Sequence, residues 1–362
     1  MDIRGYLQDR KQQLKQNVGN VLDFTVFDLN YIPRQPILRE EAKPVIDALL
    51  QYDHTGIPKN LAIFGSRGSG KTLMLRYLAK ELAGETKLAM RYVNVRNHNT
   101  SFKILAHLLH VQARGASFDE LFNQFRHVHP DKTVIVLDEI DLISSKDRQM
   151  EILYRLSRSR NNYMVILLSN SPRLMQAIDA SARSTLQPVV LHFKNYDADQ
   201  VYRILSARAE QGLRAHNEED LRKIAALTRR DTNSDVRVAI KCLFYKATEP
   251  ELDVERAFEQ ASRDVVVDVV QDLNDKCLII LESVRRSGGC FVKEIYHCYK
   301  RLSESAGETP FSYMHFYNNL SYLQSCGLII LVAARVARTY SNRIRLLVDA
   351  EIVAGAFKQR FA

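Results

Sequence analysis

The stretch that decides the fold of this chain lies at residues 65–72 and reads Gly65-Ser66-Arg67-Gly68-Ser69-Gly70-Lys71-Thr72. It fits the pattern G-x-x-x-x-G-K-[ST], in which glycines let the backbone wind around phosphate oxygens and point its N–H groups inward. The apolar run at residues 61–64 suits a buried strand, and residues 72–82 have helical periodicity. A strand, a glycine loop and a helix in this order predict a nucleotide site rather than a glycine-rich turn that binds nothing.

All eight residues of this loop are predicted nucleotide contacts. Lys71 is expected to reach the β and γ phosphates, and the Thr72 hydroxyl is expected to ligate Mg²⁺. The helix that follows would point the positive end of its dipole at the anion. The predicted cofactors are therefore ATP or ADP together with Mg²⁺.

A second phosphate-site signature is the apolar run at residues 133–137, which is followed by Asp138 and Glu139. Open α/β sheets place their ligands at the carboxyl ends of parallel strands, which is where these carboxylates would lie. Asp138 is predicted to hold the Mg²⁺ shell and Glu139 to orient and polarise the attacking water. The alternative, a solvated acidic turn, is disfavoured by the full sequence DEID, which ends at Asp141.

A third apolar run, at residues 164–168, ends in polar residues, of which Asn170 is the predicted partner of the γ-phosphate or the lytic water. The alternative is a turn-forming asparagine after a strand. Residues 91–95 form another predicted strand, a helix is predicted near 102–109, and Ser117 with Glu120 has the pattern of a capping box. This alternation predicts an α/β fold with a parallel sheet and helices on both faces.

The C-terminal residues change pattern and predict a winged helix. Two helices are expected before residue 303, and Thr309 with Pro310 is expected to begin a third helix that runs to Ser325 and stops at Gly327. Two β-like runs, at residues 328–332 and 344–348, flank a tip that carries arginines and no acid. A polar helix face and a cationic hairpin suit duplex DNA, although such a module also serves protein contacts. The predicted DNA contacts are Arg335, Arg338, Arg343, Arg345, Ser312, His315 and Asn319.

The composition of the chain limits the partners and the cellular compartment that can be expected. The chain has 362 residues, a net charge of +9 and a pI of about 9.2, which is compatible with a nucleic-acid partner. No apolar run approaches the ~18 residues that span a bilayer, so no membrane partner is expected. Five scattered cysteines and a charged start without a secretory signal predict a reducing compartment, the cytoplasm with the nucleoid, or the nucleus in a eukaryote.

The order of these motifs resembles the AAA+ ATPases, and among them the origin-recognition and cell-division-control replication initiators of archaea and eukaryotes. The resemblance extends from Tyr31 to the end of the chain. The segments that carry it are YIPRQPILREEAKPV, NLAIFGSRGSGKT, YVNVRNHNTSFKILAHLL, VIVLDEIDLI, FKNYDADQVYRIL and NSDVRVAIKCL.

The resemblance implies further site residues. Arg237 would be the lid arginine that contacts the phosphates, and Tyr31 with Ile32 would sit near the adenine. The family pattern R-V-x-S-x-L has Ser181 here in place of its leading arginine, so Arg183 is the residue that would act in a neighbouring subunit. This departure predicts slow or partner-dependent hydrolysis. A second DNA contact is expected near residues 97–117.

Three domains are predicted: an AAA+ base over residues 1–192, a helical lid over 193–264 and a winged helix over 265–362. The leading hypothesis is an ATP-dependent replication initiator whose partners are origin duplex DNA, other initiator subunits and the replicative helicase. The alternative is a nucleotide-sensing transcription regulator that loads no helicase. A third reading is a clamp-loader or chaperone type ATPase whose winged helix binds protein.

Overall fold

The protein is described by a computed structural model that covers Ile3 and residues 18–112, 115–129, 132–144, 147, 150–171, 174–336 and 339–361. The chain forms two compact units, Met1–Pro250 and Glu251–Ala362. Within the described residues, no helix combines the length and apolar character needed to cross a membrane.

A five-stranded sheet forms the centre of the first unit. Its strands are β1 (Leu61–Gly65), β2 (Ala89–Asn94), β3 (Thr133–Asp138), β4 (Met164–Ser169) and β5 (Val189–Phe193). The spatial order is β2-β3-β4-β1-β5, and every neighbouring pair is parallel. The carboxyl ends of β1, β3 and β4 therefore meet at one edge of the sheet, as the predicted α/β fold requires. The edge strand β5, with two exposed valines, was not predicted.

Helices cover both faces of this sheet. They are α1 (Lys43–Thr55), α2 (Lys71–Glu85), α3 (Ser101–Leu108), α4 (Phe118–Val128), α5 (Glu151–Ser157), α6 (Leu174–Ala177) and α7 (Ala180–Leu186). Successive residues of β3 point to opposite faces, so Val136 packs with α1 and α2 while Ile135 packs with α3, α4 and α5. The capping box predicted at Ser117 and Glu120 is present at the start of α4.

Three further helices follow in the described part of the first unit: α8 (Ala198–Gly212), α9 (Glu218–Asp231) and α10 (Val236–Thr248). Each begins at a side-chain cap, from Asp197, Asn217 and Asp235 respectively. These caps satisfy backbone N–H groups that have no partner inside the helix, which is why each helix begins where it does.

The second unit contains α11 (Val254–Gln271), α12 (Asp275–Ser287), α13 (Val292–Ser305), α14 (Tyr313–Ser325), β6 (Ile329–Val336), β7 (Thr339–Leu346) and α15 (Ala350–Phe361). β6 and β7 follow α14 in the chain and pair as an antiparallel hairpin, which is the predicted winged-helix order. The hairpin is longer than predicted, and α15 was not predicted. The predicted boundary between residues 264 and 265 falls inside α11, and the division into three domains stays a prediction.

The predicted start of α14 is wrong. Thr309 and Pro310 precede the helix, and Ser312 is its N-cap, because the Ser312 hydroxyl accepts a hydrogen bond from the backbone N–H of His315. The backbone N–H of Phe311 donates to the Tyr299 hydroxyl at 3.0 Å. This contact with α13 holds the chain outside the helix for longer than the local threonine–proline signal indicates.

Candidate nucleotide and DNA sites

The phosphate loop connects β1 to α2 in a conformation that only glycine adopts without strain. Gly68 and Gly70 have φ values of +75° and +84°, and Gly70 is the N-cap of α2. A Cβ on Gly65 would lie 2.5 Å from the carbonyl oxygen of Phe193 in β5. The three glycines thus permit the turn and the close packing that place a helix N-terminus at the end of β1.

Lys71 lies inside this loop with only 6% of its surface exposed. Its ammonium donates to the carbonyl oxygens of Gly65 (2.8 Å) and Ser66 (2.9 Å) and to Asn170 Oδ1 (3.1 Å). Burial lowers the pKa of Lys71 to about 8, with the carboxylates of Asp138, Asp141 and Glu139 acting in the opposite direction. The structure thus brings the predicted loop lysine and the predicted β4 asparagine together.

Asp138, at the end of β3, is the centre of the acidic part of the site. Its Oδ2 accepts a hydrogen bond from the Thr72 hydroxyl at 2.7 Å, and its Oδ1 accepts from the backbone N–H of Glu139 at 2.9 Å. Hydroxyl and carboxylate oxygens side by side are the donors that Mg²⁺ prefers, so these residues fit the predicted ion. The Tyr92 hydroxyl also donates to Oδ2, a contact that the sequence analysis missed.

Glu139 has a left-handed backbone conformation with a φ of 54°. Its carboxylate pairs with the Arg96 guanidinium through two bonds, at 2.9 Å from Nε to Oε2 and 3.1 Å from Nη2 to Oε1. Arg96 follows β2 and was not predicted as a site residue. The predicted water-activating carboxylate is thus held by a cation from a neighbouring strand end.

Asp141 organises the end of β4. Its Oδ1 accepts from the Ser169 hydroxyl at 2.6 Å and from the backbone N–H of Asn170 at 3.4 Å. Burial raises the pKa of the Asp141 carboxyl, while the hydrogen bonds lower it. The last acid of the DEID sequence therefore positions Asn170 opposite Lys71.

Residues from the helical part of the first unit close over the two central glycines. A Cβ on Gly68 would lie 2.4 Å from Asp235 Oδ1, and one on Gly70 would lie 2.1 Å from the Tyr196 hydroxyl. Arg237 pairs with Asp235, with Nε at 2.9 Å from Oδ1 and Nη2 at 2.5 Å from Oδ2. The structure thus places the predicted lid arginine beside the residue that contacts the loop.

Arg39 is a further site residue that sequence reasoning missed, although it belongs to the entry segment that carries the resemblance. It is 5% exposed and donates to the carbonyl oxygens of Ser69 and Lys194, both at 2.7 Å. Its guanidinium stacks 4.3 Å from the centre of the Tyr196 ring. Arg39 therefore ties the phosphate loop to the segment that leads into α8.

Three other predicted residues have contacts outside the loop. The Tyr31 hydroxyl donates to Gln211 Oε1 at 2.5 Å, and the Arg208 guanidinium lies 5.2 Å from the Tyr31 ring centre, so this turn packs on α8. Ile32 is half-buried next to it. Arg183 is exposed on α7, where its Nη1 donates to the carbonyl oxygen of Met175 at 2.7 Å.

The predicted DNA contacts on α14 differ in how far their side chains are used in contacts inside the unit. Ser312 serves as the cap described above, and His315 packs against the Phe311 ring at 4.9 Å between ring centres. Asn319 is half-buried and uses its amide inside the unit, since Nδ2 donates to the carbonyl oxygen of His315 at 2.8 Å and Oδ1 lies 3.2 Å from the Cys277 thiol. The neighbouring Asn318, which was not predicted, is exposed.

The hairpin presents two of the four predicted arginines on one face. Arg343 and Arg345 are exposed on β7, paired across the hairpin with Val332 and Ile330. The Arg343 guanidinium stacks 4.8 Å from the centre of the Phe291 ring. Arg338 lies outside the described residues, as does the side chain of Arg335.

The fold and the site together define a phosphate-loop ATPase domain followed by a winged-helix domain. Residues 61–191 match the AAA family, the ATPase family associated with various cellular activities, and residues 276–356 match the CDC6 C-terminal winged-helix domain. The chain thus carries an AAA ATPase domain and a CDC6-type C-terminal winged-helix domain, which confirms the resemblance found in the sequence.

Similar proteins share this architecture over most of their length. The chain is 27% identical to ORC1-type DNA replication protein 1 of Sulfolobus acidocaldarius over 91% of each chain, and 29% identical to the ORC1-type DNA replication protein of Methanothermobacter thermautotrophicus over 74% of this chain and 76% of that one. Among solved structures, the Aeropyrum pernix ORC1 protein in complex with DNA superposes with a TM-score of 0.71 at 23% identity, covering 94% of this chain and 97% of that one. The Aeropyrum pernix ORC2 protein in ADPNP and ADP complexes has a TM-score of 0.61 at 23% identity, over 94% and 99% of the two chains.

Proposed function

We propose that this protein is an ATP-dependent DNA replication initiator that binds origin duplex DNA and helps to recruit the replicative helicase. The observation that carries the proposal is the pairing, in one chain, of a complete phosphate site with a CDC6-type winged helix that exposes Arg343 and Arg345. Relatives aligned over nine-tenths of their length bear the name ORC1-type DNA replication protein, and one similar structure was solved with DNA. The protein would act in the cytoplasm at the nucleoid, together with other initiator subunits.

The nucleotide would bind as ATP or ADP with its phosphates at the start of α2. Lys71 would move its ammonium from loop carbonyls to the β and γ phosphates, and Asn170 would bond the γ-phosphate or the attacking water. Thr72 and Asp138 would hold the Mg²⁺ ion, which neutralises phosphate charge. Arg237 would exchange its bond to Asp235 for one to the phosphates and so report the nucleotide to the helical lid.

Hydrolysis would be slow, and ATP would act mainly as a switch. Two features of the chain support this part of the proposal. The carboxylate of Glu139 is paired with Arg96 instead of being free to accept a proton from water. Arg183, the arginine that would act in a neighbouring subunit, donates to a carbonyl of its own chain.

Replacing Arg96 by alanine is expected to raise the single-turnover rate of ATP hydrolysis by about fivefold. A partly exposed ion pair contributes up to about 1 kcal/mol. If loss of the pair removes that stabilisation of Glu139 before the reaction, the activation free energy falls by the same amount, which corresponds to about fivefold in rate. Single-turnover hydrolysis with enzyme in excess over radiolabelled ATP measures the rate. Arg91→Ala removes a cation from β2, the strand that precedes Arg96, and serves as the matched control. Glu139→Gln should bind ATP without turnover. A rate in Arg96→Ala equal to or below the wild-type rate, with ATP binding intact, would contradict the inhibitory role of the pair.

DNA would be contacted by the exposed hairpin arginines and by the polar start of α14, with Asn318 in the position for which Asn319 was predicted. Residues 97–117, which contain α3, would add the second contact that the resemblance implies. This segment directly follows Arg96, the residue that pairs with Glu139, in the sequence. The second reading, a transcription regulator with the same parts, differs only in what is recruited.

Mapping the protein across the chromosome of its source tests the function. We expect enrichment at replication start sites, with loss of the helicase from those sites when the protein is depleted. The helicase is detected by a separate immunoprecipitation with an antibody against the helicase itself. Enrichment scattered over promoters, with helicase occupancy unchanged on depletion, would reject the initiator and favour the regulator.

A further inference from the structure

Tyr92 is a residue of β2 that reaches the acidic centre of the site from the adjacent strand. β2 pairs with β3, and their register sets Asn94 beside Asp138 and Tyr92 beside Val136. The Tyr92 hydroxyl donates a hydrogen bond to Asp138 Oδ2. The same oxygen accepts from Thr72, at 2.7 Å.

The ring of Tyr92 is held on its other side by α2. The Arg76 guanidinium lies 5.2 Å from the ring centre, and Arg76 Nη1 donates to Asn30 Oδ1 at 3.1 Å. Arg76 follows Thr72 by four residues, so both project from the same face of α2. One helix face thus supplies both the predicted metal ligand Thr72 and the cation that stacks on Tyr92.

The phenol can act only as a donor in this position. The Tyr92 hydroxyl is the donor and the Asp138 carboxylate is the acceptor, because an ionised carboxylate has no proton to give. The single proton of the hydroxyl is directed at the carboxylate, which accepts it as a charge-assisted bond.

We propose that Tyr92 is a positioning residue for the magnesium ion of the nucleotide, because it fixes the orientation of the Asp138 carboxylate. The inference rests on the proposed nucleotide and metal function of this site. Asp138 Oδ1 is held by the backbone N–H of Glu139, and Oδ2 is held by Tyr92, so the two bonds together prevent the carboxylate from rotating. Thr72 and Tyr92 both donate to Oδ2, but only Thr72 is itself a predicted ligand of the ion. When the Thr72 hydroxyl turns to the ion, Tyr92 would remain bonded to the carboxylate. Outer partners of this kind change metal affinity by about 10- to 100-fold when they are removed.

The test uses the full-length protein with Tyr92→Phe, which deletes the hydroxyl and keeps the ring. ATP affinity is measured by calorimetry in EDTA and across a magnesium chloride titration, and melting temperature is measured with and without ATP. We expect the magnesium concentration at half effect to rise about tenfold. ATP affinity in EDTA should stay near the wild-type value, and the melting temperature without nucleotide should fall because the hydrogen bond to Asp138 is lost.

Tyr163→Phe is the matched control, since the Tyr163 hydroxyl donates to the carbonyl oxygen of His129 at 2.7 Å in the same unit. It should lower the melting temperature without moving the magnesium titration. An unchanged magnesium midpoint in Tyr92→Phe would overturn the positioning role, and a lower midpoint would mean that the phenol competes with the ion. A wild-type protein that binds ATP equally with and without magnesium would instead refute the metal site itself, and one that binds no ATP would refute the proposed function.

Discussion

Replacing Lys71 by alanine is expected to weaken ATP binding by at least about 100-fold. The Lys71 ammonium is buried and is held by four acceptors, two of which are carbonyl oxygens of the loop itself. These contacts place a cation where the phosphates would bind, and each hydrogen bond to a charged group contributes about 1.5–3 kcal/mol. Loss of two such bonds to the β and γ phosphates corresponds to the stated factor, since about 1.4 kcal/mol is tenfold in affinity. Calorimetric titration with ATP measures it.

Lys80→Ala provides the control, because Lys80 is an exposed lysine of the same helix. It should bind ATP as the wild type does. The melting temperature of Lys71→Ala without nucleotide shows whether the variant is folded. A folded Lys71→Ala protein with wild-type ATP affinity would remove the loop from the nucleotide site.

Much of the fold and of the nucleotide site was predictable because the residues concerned are contiguous. The phosphate loop, the strand that ends at Asp138 and the strand before Asn170 each combine an apolar run with polar residues at its end. In a parallel sheet such ends must meet, so the sequence alone predicts that Lys71, Asp138 and Asn170 come together. The structure brings all three to one edge of the sheet.

The residues that were missed act over long sequence separations and have no local signature. Arg39 contacts Ser69 and Lys194, Arg96 contacts Glu139, and Tyr92 contacts Asp138. Each of these residues is far in sequence from its partner. Only the order of the strands makes these pairs neighbours, and sequence patterns do not encode the order β2-β3-β4-β1-β5. An arginine or a tyrosine in an amphipathic segment has many other possible roles.

The second unit shows the opposite error, a strong local signal overruled by packing. Thr309 and Pro310 have the ordinary pattern of a helix start, yet the chain stays extended until Ser312 because Phe311 is bonded to Tyr299. One predicted DNA contact on α14 also uses its side chain inside the unit. Asn319 was predicted to face DNA, whereas its amide is bonded to His315 and faces Cys277.

Removing two hairpin arginines is expected to have the second largest effect. Arg343→Ala with Arg345→Ala should weaken binding to origin duplex DNA by about 30-fold at moderate salt, since each charge-assisted phosphate contact contributes roughly 1 kcal/mol or more. Both side chains are exposed on the same face of β7. The slope of log affinity against log salt should become shallower by about 1.8, which is 0.9 for each lost phosphate contact. Fluorescence anisotropy with labelled duplex at several salt concentrations measures both quantities.

The change in slope separates a direct contact from a loss of folding. A destabilised domain binds less at every salt concentration but keeps its slope, because the remaining molecules still release the same number of counterions. Lys293→Ala with Lys358→Ala removes the same charge from exposed helix positions of the second unit and serves as the control. If the two double variants lower the slope equally, net charge and not the hairpin governs the affinity. If neither lowers it, the exposed face of β7 lies outside the DNA interface.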